Sequence, residues 1–374
     1  MVFTNKLTIA LIDDTDLSKP GKGQQIRTFE LYSRVSKYFD IKLFLQDLSD
    51  PSMLSWASEL NVIKSLPGKL SSWIGSIDSI QKMISKINEA DIIIAEHIYG
   101  INRWAPLAAK LRNVPFIYDS HGNEIEVCGY DIKCLLSIIP FERYMYKSAD
   151  LIFAISEEVF YNISKIYGIN KKKIEVLYPG LRKINCKEKG KKIYDIMKFW
   201  GVNNKSIVAI MHGSFDYKPN MESLNLLLNL SKGARKDYNV VFVLAGKSSM
   251  MKPGWISDGV LYIGFVDDID ELLCAANVAL SLNVSGTGVH MKVLDYLSAG
   301  LPIIATPKSL SGIPKASLKD YPLVTIELNN FINLGKIVSD LNSEFSGPLS
   351  GKASLPTWEE SAEQFVRKIN DFLR

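Results

Sequence analysis

The chain has 374 residues, 47% hydrophobic and 22% charged; this is a globular composition on a chain too long for one ordinary core, so two domains are expected. The net charge of +4 does not call for nucleic acid, and no segment interleaves basic and aromatic side chains as a binding platform does. No run approaches the ~18 apolar residues of a membrane span, the N-terminus enters a strand rather than a cleavable leader, and Cys128, Cys134, Cys186 and Cys274 lack C-x-x-C spacing, which suggests neither zinc nor a disulfide framework and favours a reducing compartment.

In chain order, residues 7–12 form a continuous apolar run, the pattern of a central parallel strand. A loop through Gly21-Lys-Gly23 follows, and then a helix over about 24–38. This strand, glycine loop and helix lacks the third glycine of a dinucleotide fingerprint. Further strands are predicted at 41–45, 91–95, 116–119, 151–155 and 174–177, with helices between most of them, notably 104–112, 141–147 and 157–167. Alternation of this kind gives a doubly wound parallel sheet with right-handed crossovers. The polar, basic interval 182–192 reads as a linker. The alternation then restarts, with strands at 206–211, 239–245, 260–263, 278–282, 303–306 and 323–326, which argues for a second doubly wound domain. A last helix over about 358–373 has Phe365, Ile369 and Phe372 on one face. Two stretches look unlike core: 52–87, with Trp56, Trp73, Lys69 and Lys82, and 126–146, with its C-L-L-S-I-I-P-F run beside Arg143 and Lys147. Either caps the N-terminal core or presents an amphipathic face to a membrane or apolar acceptor.

The chemistry gathers at strand ends. All four histidines, His97, His121, His212 and His290, fall at the C-terminal end of a predicted strand or in the loop leaving it, the edge where open parallel sheets bind ligands. The most informative stretch is N-V-S-G-T-G-V-H-M-K-V-L-D-Y-L-S-A-G-L-P at 283–302. Its glycines allow close backbone approach, and a helix is expected over about 289–299, closed by Gly300 and Pro302. Lys292 lies in that helix's first turn, where the macrodipole favours anions over cations. Free amides, a glycine loop and a lysine at one helix start make a phosphate site. Lys218, in F-D-Y-K-P-N-M-E, stands at a second strand-to-helix junction. Two lysines and two helix N-termini suffice to hold a diphosphate without metal. The Asp-x-Asp pairs are Asp14-Thr15-Asp16, read as a rim loop, and Asp268-Ile269-Asp270, read as a helix cap. No metal site is expected; a G-x-S-x-G elbow and a P-loop are both missing.

Taken in order, these pieces resemble family 4 glycosyltransferases of the GT-B architecture over almost the whole chain. The matching residues are the Gly21–Gly23 loop with Arg27 behind it, Y-D-S-H-G-N-E around His121, A-D-L-I-F-A-I-S-E at 149–157, H-G-S-F-D-Y-K-P-N-M-E at 212–222, L-A-G-K at 244–247, G-F-V-D-D-I-D-E-L at 264–272 and the 286–306 segment. The resemblance implies two facing doubly wound, Rossmann-like α/β domains with a cleft between them: residues 1–180 on the acceptor side, 181–357 on the donor side, and a helix at 358–374 crossing back. It implies a retaining, metal-independent hexosyltransferase that needs no cofactor. The donor would be a nucleotide sugar and the acceptor a glycan or lipid-linked saccharide. The protein would be cytoplasmic, with possible peripheral contact at the membrane's inner face. Lys218 and Lys292 would bind the diphosphate and act in catalysis with His121, beside the transferred sugar. Asp295 would hold the ribose hydroxyls. Gly23, Gly213, Ser214, Val266, Gly286, Thr287, Gly288 and Val289 would complete the donor site, and Arg27, His97 and Glu124 would face the acceptor.

The pattern is not followed everywhere. A family pair of glutamates eight residues apart is Thr287 and Asp295 here, the usual arginine after the second domain's first glycine is Ser214, and an expected Asn-Gly is Tyr178-Pro-Gly180. Other readings stay open: a sugar-nucleotide epimerase or a phosphorylase of the same architecture, and, because of Thr287 and Ser214, a non-catalytic module that binds a nucleotide sugar.

Overall fold

The computed structural model describes residues 6–63, 77–128, 131–186, 189–327, 333–345 and 353–374. In chain order the elements are β1 (Thr8–Asp13), α1 (Gly23–Val35), β2 (Asp40–Leu45), β3 (Glu59–Val62), α2 (Ile77–Lys86), β4 (Ile92–Ala95), α3 (Ala105–Arg112), β5 (Phe116–Ser120), α4 (Glu124–Cys128), α5 (Ile132–Ser148), β6 (Leu151–Ala154), α6 (Glu157–Ile166) and β7 (Ile174–Val176). There follow α7 (Lys191–Phe199), β8 (Ile207–His212), α8 (Lys218–Leu230), α9 (Ala234–Tyr238), β9 (Val240–Ala245), β10 (Gly254–Ser257), β11 (Val260–Gly264), α10 (Ile269–Cys274), β12 (Val278–Ser281), α11 (Met291–Ala299), β13 (Ile303–Ala305), β14 (Leu323–Thr325), α12 (Leu334–Glu344) and α13 (Trp358–Leu373). Contacts divide the chain into two compact units. One holds Met1–Gly180, Thr287–Val289 and Pro356–Arg374; the other holds Leu181–Gly286 and His290–Leu355.

The first unit is built on a seven-stranded sheet of order β3-β2-β1-β4-β5-β6-β7, parallel throughout. Its inner strands are apolar on both faces because helices cover both; every residue of β4, β5 and β6 is buried. The order reverses between β1 and β4, so the loops leaving these two strands open a crevice at their C-terminal ends. Helix α13 belongs to this unit. A capping box between Thr357 and Glu360 starts it, and its buried face places Phe365 against Tyr32 of α1 and Phe153 of β6, at ring centroid distances of 5.5 and 4.8 Å. Ser361 Oγ and Gln364 Nε2 donate to the carbonyls of Tyr178 and Val176 at 2.9 and 3.0 Å, which ties the helix to the end of β7.

The second unit repeats the plan with order β10-β11-β9-β8-β12-β13-β14. All its pairings are parallel except β10–β11, an antiparallel edge. Here the reversal falls between β8 and β12, and the loops leaving those strands carry 213–217 and 282–290.

Several expectations are corrected. The cysteines form two disulfides, Cys128–Cys134 and Cys186–Cys274, in place of the reduced thiols inferred from their spacing. The second closes a loop of 88 residues, a pairing no local spacing can reveal. The 182–192 interval is not a plain linker: α7 starts at Lys191, and Lys189 pairs with Asp268 at 2.6 Å. Strands β3 and β10 and helices α2, α9 and α12 went unpredicted. Of the stretch 52–87, Lys69 and Trp73 lie outside the described residues. In α5, which holds part of 126–146, Ile138, Met145 and Tyr146 are buried against the core, while Ile132 and Leu136 are 70% and 73% exposed. Among the described residues no helix is long and apolar enough to cross a membrane.

Candidate functional site

In the second unit the rim is assembled from three loops. Two of them meet backbone to backbone: a Cβ on Gly246, where φ is +143°, would stand 1.9 Å from the carbonyl oxygen of Gly213. Only glycine permits that approach, and it brings the loop after β9 onto the loop after β8. Pro219 and Asn220 then begin α8, and buried Asn220 turns back to donate from Nδ2 to the Ser214 carbonyl at 2.8 Å. Its Oδ1 accepts from Lys292 Nζ at 2.7 Å. Helix α11 is pinned beneath the site by Tyr296, whose hydroxyl donates to the Leu280 carbonyl at 3.1 Å and accepts from the His212 amide at 3.4 Å. His290 is its N-cap residue and makes no side-chain cap, so the first-turn amides are not taken up by it.

Lys292 is a half-buried cation whose hydrogen-bond partner is a neutral amide. Burial lowers its pKa to about 8, because an ammonium removed from water without an anion is disfavoured. The same surroundings depress the two histidines of this rim. Burial and then Lys292 push His212 down to about 3 and His290 to about 4. One turn after Lys292, Asp295 is held by Arg182, with Oδ1 2.8 Å from Nη2 and 3.2 Å from Nε, and its Oδ2 lies 3.6 Å from His212 Nε2. Arg182 also reaches Asp270 at 3.1 Å. The second unit's rim thus brings together Lys292, a helix N-terminus and neutral imidazoles, with Asp295 and Asp270 already paired to Arg182. It is built to receive a polyvalent anion.

This arrangement predicts proton uptake on anion binding. A base whose folded pKa is depressed from 10.5 to about 8 carries less proton than the unfolded chain between those values. A bound anion restores the ammonium. Sulfate, which carries no titratable proton at pH 8.5, should therefore drive uptake of on the order of 0.7 proton when it fills the site. Calorimetry in two buffers of different ionisation enthalpy measures it, and a binding enthalpy that ignores the buffer would show that Lys292 does not meet the anion.

In the first unit the rim is acidic and imidazole-rich. Asp13 ends β1 fully buried; Thr15 donates to its Oδ1 through amide and hydroxyl at 2.8 and 2.7 Å, and its Oδ2 has no partner. Burial, and then the neighbouring Asp14 and Glu96, raise it well above the usual carboxylate range, and burial lifts Asp14 to about 6. Glu96 and His97 follow β4. His121 follows β5 and places Nε2 2.7 Å from Glu96 Oε2. Burial lifts Glu96 to about 7 and lowers His121 to about 3. Among the described residues, two sets of side chains have donor atoms within 4.8 Å of one another, the spacing of a cation site: Asp13, Asp14 and His97, and Glu96, Asp119 and His121. In the second set Arg27 already supplies a positive charge, 2.8 Å from Asp119.

The sequence-predicted residues fall as follows. Gly213, Ser214, Gly286, Lys292 and Asp295 gather on the second unit's rim around the loops after β8 and β12, and Val266 is half-buried in the loop after β11. Lys218 starts α8 but its side chain is 86% exposed, with Glu222 3.9 Å away. Thr287, Gly288 and Val289 are grouped with the first unit. Gly23 is the first residue of α1. Arg27, expected to face an acceptor, is instead 1% exposed, with its guanidinium on Asp119 and the Leu177 carbonyl. His97 is 5% exposed, and Glu124 accepts from Tyr99 Oη at 2.7 Å and is lifted by burial to about 7. Asp268 caps α10, its carboxylate accepting from the Asp270 amide, as its place before an apolar run foretold. Sequence reading missed Glu96, Asn220 and Arg182. Glu96 carried a signal, a carboxylate ending the apolar strand D-I-I-I-A; the other two show their place only in three dimensions.

A family model described as Glycosyltransferase Family 4 matches residues 30–182, and one described as Glycosyl transferases group 1 matches 206–325. No curated protein matches the chain in sequence. Among solved structures, Anabaena HepE in complex with UDP and glucose superposes with a TM-score of 0.72 at 14% identity, over 97% of this chain and 99% of that one. A glycosyltransferase from Rickettsia africae gives 0.71 at 15% identity over 99% of each chain. WaaG, a glycosyltransferase involved in lipopolysaccharide biosynthesis, gives 0.65 at 15% identity over 96% and 95%. All share the two-sheet GT-B fold found here.

Proposed function

We propose that this chain, which belongs to the glycosyltransferases and joins a family 4 domain to a group 1 domain, moves a sugar from a nucleotide sugar to a glycan or lipid-linked saccharide with retention at the anomeric carbon. The observation that carries the reading is Lys292: a half-buried ammonium with a neutral partner in the first turn of α11, on the rim of the group 1 domain. The HepE structures hold UDP and UDP-glucose, and a diphosphate is the anion that this rim suits.

In the proposed reaction the bond between the anomeric carbon and the donor phosphate oxygen breaks, and the electron pair leaves with the diphosphate. Lys292, the α11 N-terminus and the exposed Lys218 stabilise the charge that develops there, the electrostatic contribution that usually dominates such catalysis. The acceptor hydroxyl oxygen bonds the carbon on the face the diphosphate leaves, and its proton passes to a phosphate oxygen of the leaving group. Asp295, oriented by Arg182, takes the ribose hydroxyls. His121 stands beside the sugar, and Gly23, Gly213, Ser214, Val266 and the 286–289 loop line the donor. His97 and Glu124 serve the acceptor side, while Arg27 acts there through Asp119. No metal is assigned to the diphosphate. A cytoplasmic protein with peripheral membrane contact through the exposed Ile132 and Leu136 of α5 fits a lipid-linked acceptor.

A thermal-shift screen against UDP-, GDP-, ADP- and TDP-sugars, with and without EDTA, tests this. A donor at ~100 times its dissociation constant adds about 2.7 kcal/mol, so one nucleotide sugar should raise the midpoint visibly and EDTA should leave that shift intact. No shift with any of them in well-folded protein rules the reading out for these donors, and a shift abolished by EDTA rules out the metal-free diphosphate.

A further inference from the structure

We infer that Glu96 is a positioning residue for His121: its carboxylate accepts from His121 Nε2 at 2.7 Å and so holds the imidazole in the tautomer that leaves the Nδ1 lone pair for a substrate hydroxyl. The substrate half of this rests on the placement of His121 beside the sugar proposed above; the tautomer does not.

The surroundings single out Glu96. It lies one residue beyond β4 with no exposure, and Thr28 Oγ1 of α1 donates to the same Oε2 at 3.1 Å. The His97 ring packs edge-on against His121, centroids 4.7 Å apart, and fixes the ring plane. His121 Nδ1 is buried and has no hydrogen-bond partner among the described residues. The other charged or titratable groups facing the pair are Arg27 and Tyr32 from α1, Asp119 from β5 and Asp13 from β1. Asp119 cannot set the tautomer, because Arg27 holds it and its Oδ2 is 4.0 Å from Nε2.

Two proton arrangements follow. With Glu96 ionised, Nε2–H donates to it and Nδ1 accepts. With Glu96 protonated, its O–H donates to Nε2, the ring proton sits on Nδ1, and Nδ1 becomes a donor in place of an acceptor. Burial keeps the imidazole neutral while Glu96 titrates near neutrality, so the ring reverses its sense without ever becoming charged.

The test uses the full chain labelled with 15N-histidine, followed by imidazole nitrogen shifts from pH 5.5 to 9, His121 being assigned from His121→Gln. The Nε2–H form should dominate above pH 8 and give way to Nδ1–H below pH 6, and Glu96→Gln, which keeps the shape but cannot ionise, should show no change over that range. An Nδ1–H ring at pH 8.5 in the unaltered protein, or a Glu96→Gln protein that still titrates, overturns the inference. Transfer rates are read separately. The unaltered enzyme should lose about tenfold per pH unit below the Glu96 transition, and Glu96→Gln should lack that acid limb. Full transfer by His121→Ala would instead remove the substrate role and leave the tautomer result standing.

Discussion

Replacing Lys292 by methionine should lower the transfer rate by about 10²–10³-fold, the usual loss when one group stabilising a developing anion is removed, while leaving the folded protein as stable as before or more so. The two effects have one cause. The Lys292 ammonium is withdrawn from water, with the Asn220 amide oxygen its one hydrogen-bond partner among the described residues, and burial drives its pKa from 10.5 to about 8. Such a group costs stability in the unliganded protein. Methionine keeps the apolar stem that packs in the first turn of α11 and removes the charge. A merely structural lysine would behave in the opposite way: its loss would lower the midpoint and leave transfer alone. Measuring kcat with the donor found in the screen, beside the thermal midpoint, separates the two. Unimpaired transfer by the methionine variant would mean that the leaving diphosphate is stabilised elsewhere.

Much of this was legible in the sequence because buried parallel strands announce themselves. Runs such as T-I-A-L-I-D and V-V-F-V-L-A have no polar face to alternate with, and both proved to be central strands. The placing of His97, His121 and His212 at strand ends, and of His290 in the loop leaving one, was equally readable, since the strand ends were. What escaped has physical reasons. The edge strand Glu59–Val62 mixes polar and apolar residues, and Gly254–Ser257 opens on a glycine and pairs antiparallel. Helix α7 hides its apolar face, Ile193 and Met197, inside a lysine-rich interval. The Cys186–Cys274 disulfide joins residues brought together only by the fold. Glu96, Asn220 and Arg182 were passed over because each acts on another side chain, Glu96 on His121, Asn220 on Lys292 and Arg182 on Asp295. Residue type and spacing point to groups that meet a ligand far more readily than to the groups that hold them in place.

At Gly180 the backbone fit is close enough that alanine should destabilise the first unit by about 3 kcal/mol or more, the upper range of overpacking. A Cβ there would lie 2.2 Å from the Trp358 amide nitrogen and 2.4 Å from the Thr357 carbonyl carbon. Both are backbone atoms at the start of α13, so no side-chain rotation relieves the clash. The helix cannot simply withdraw: Trp358 is 1% exposed, Phe365 is wedged between Tyr32 and Phe153, and Ser361 is bonded to the Tyr178 carbonyl. Moving its first turn therefore loosens the whole apolar seam with α1. For a unit of this size the midpoint should fall by roughly 6–12 °C, and hydrogen exchange should quicken first along α13. Gly21→Ala is the control, since its nearest neighbour would be 3.9 Å away, and it should be almost neutral. Pyrophosphate binding at Lys292, which depends on the second unit's own loops, should survive in both variants. If Gly180→Ala melts with Gly21→Ala, the close approach does not hold α13 in place; if it also loses pyrophosphate, the second unit's rim is not self-sufficient.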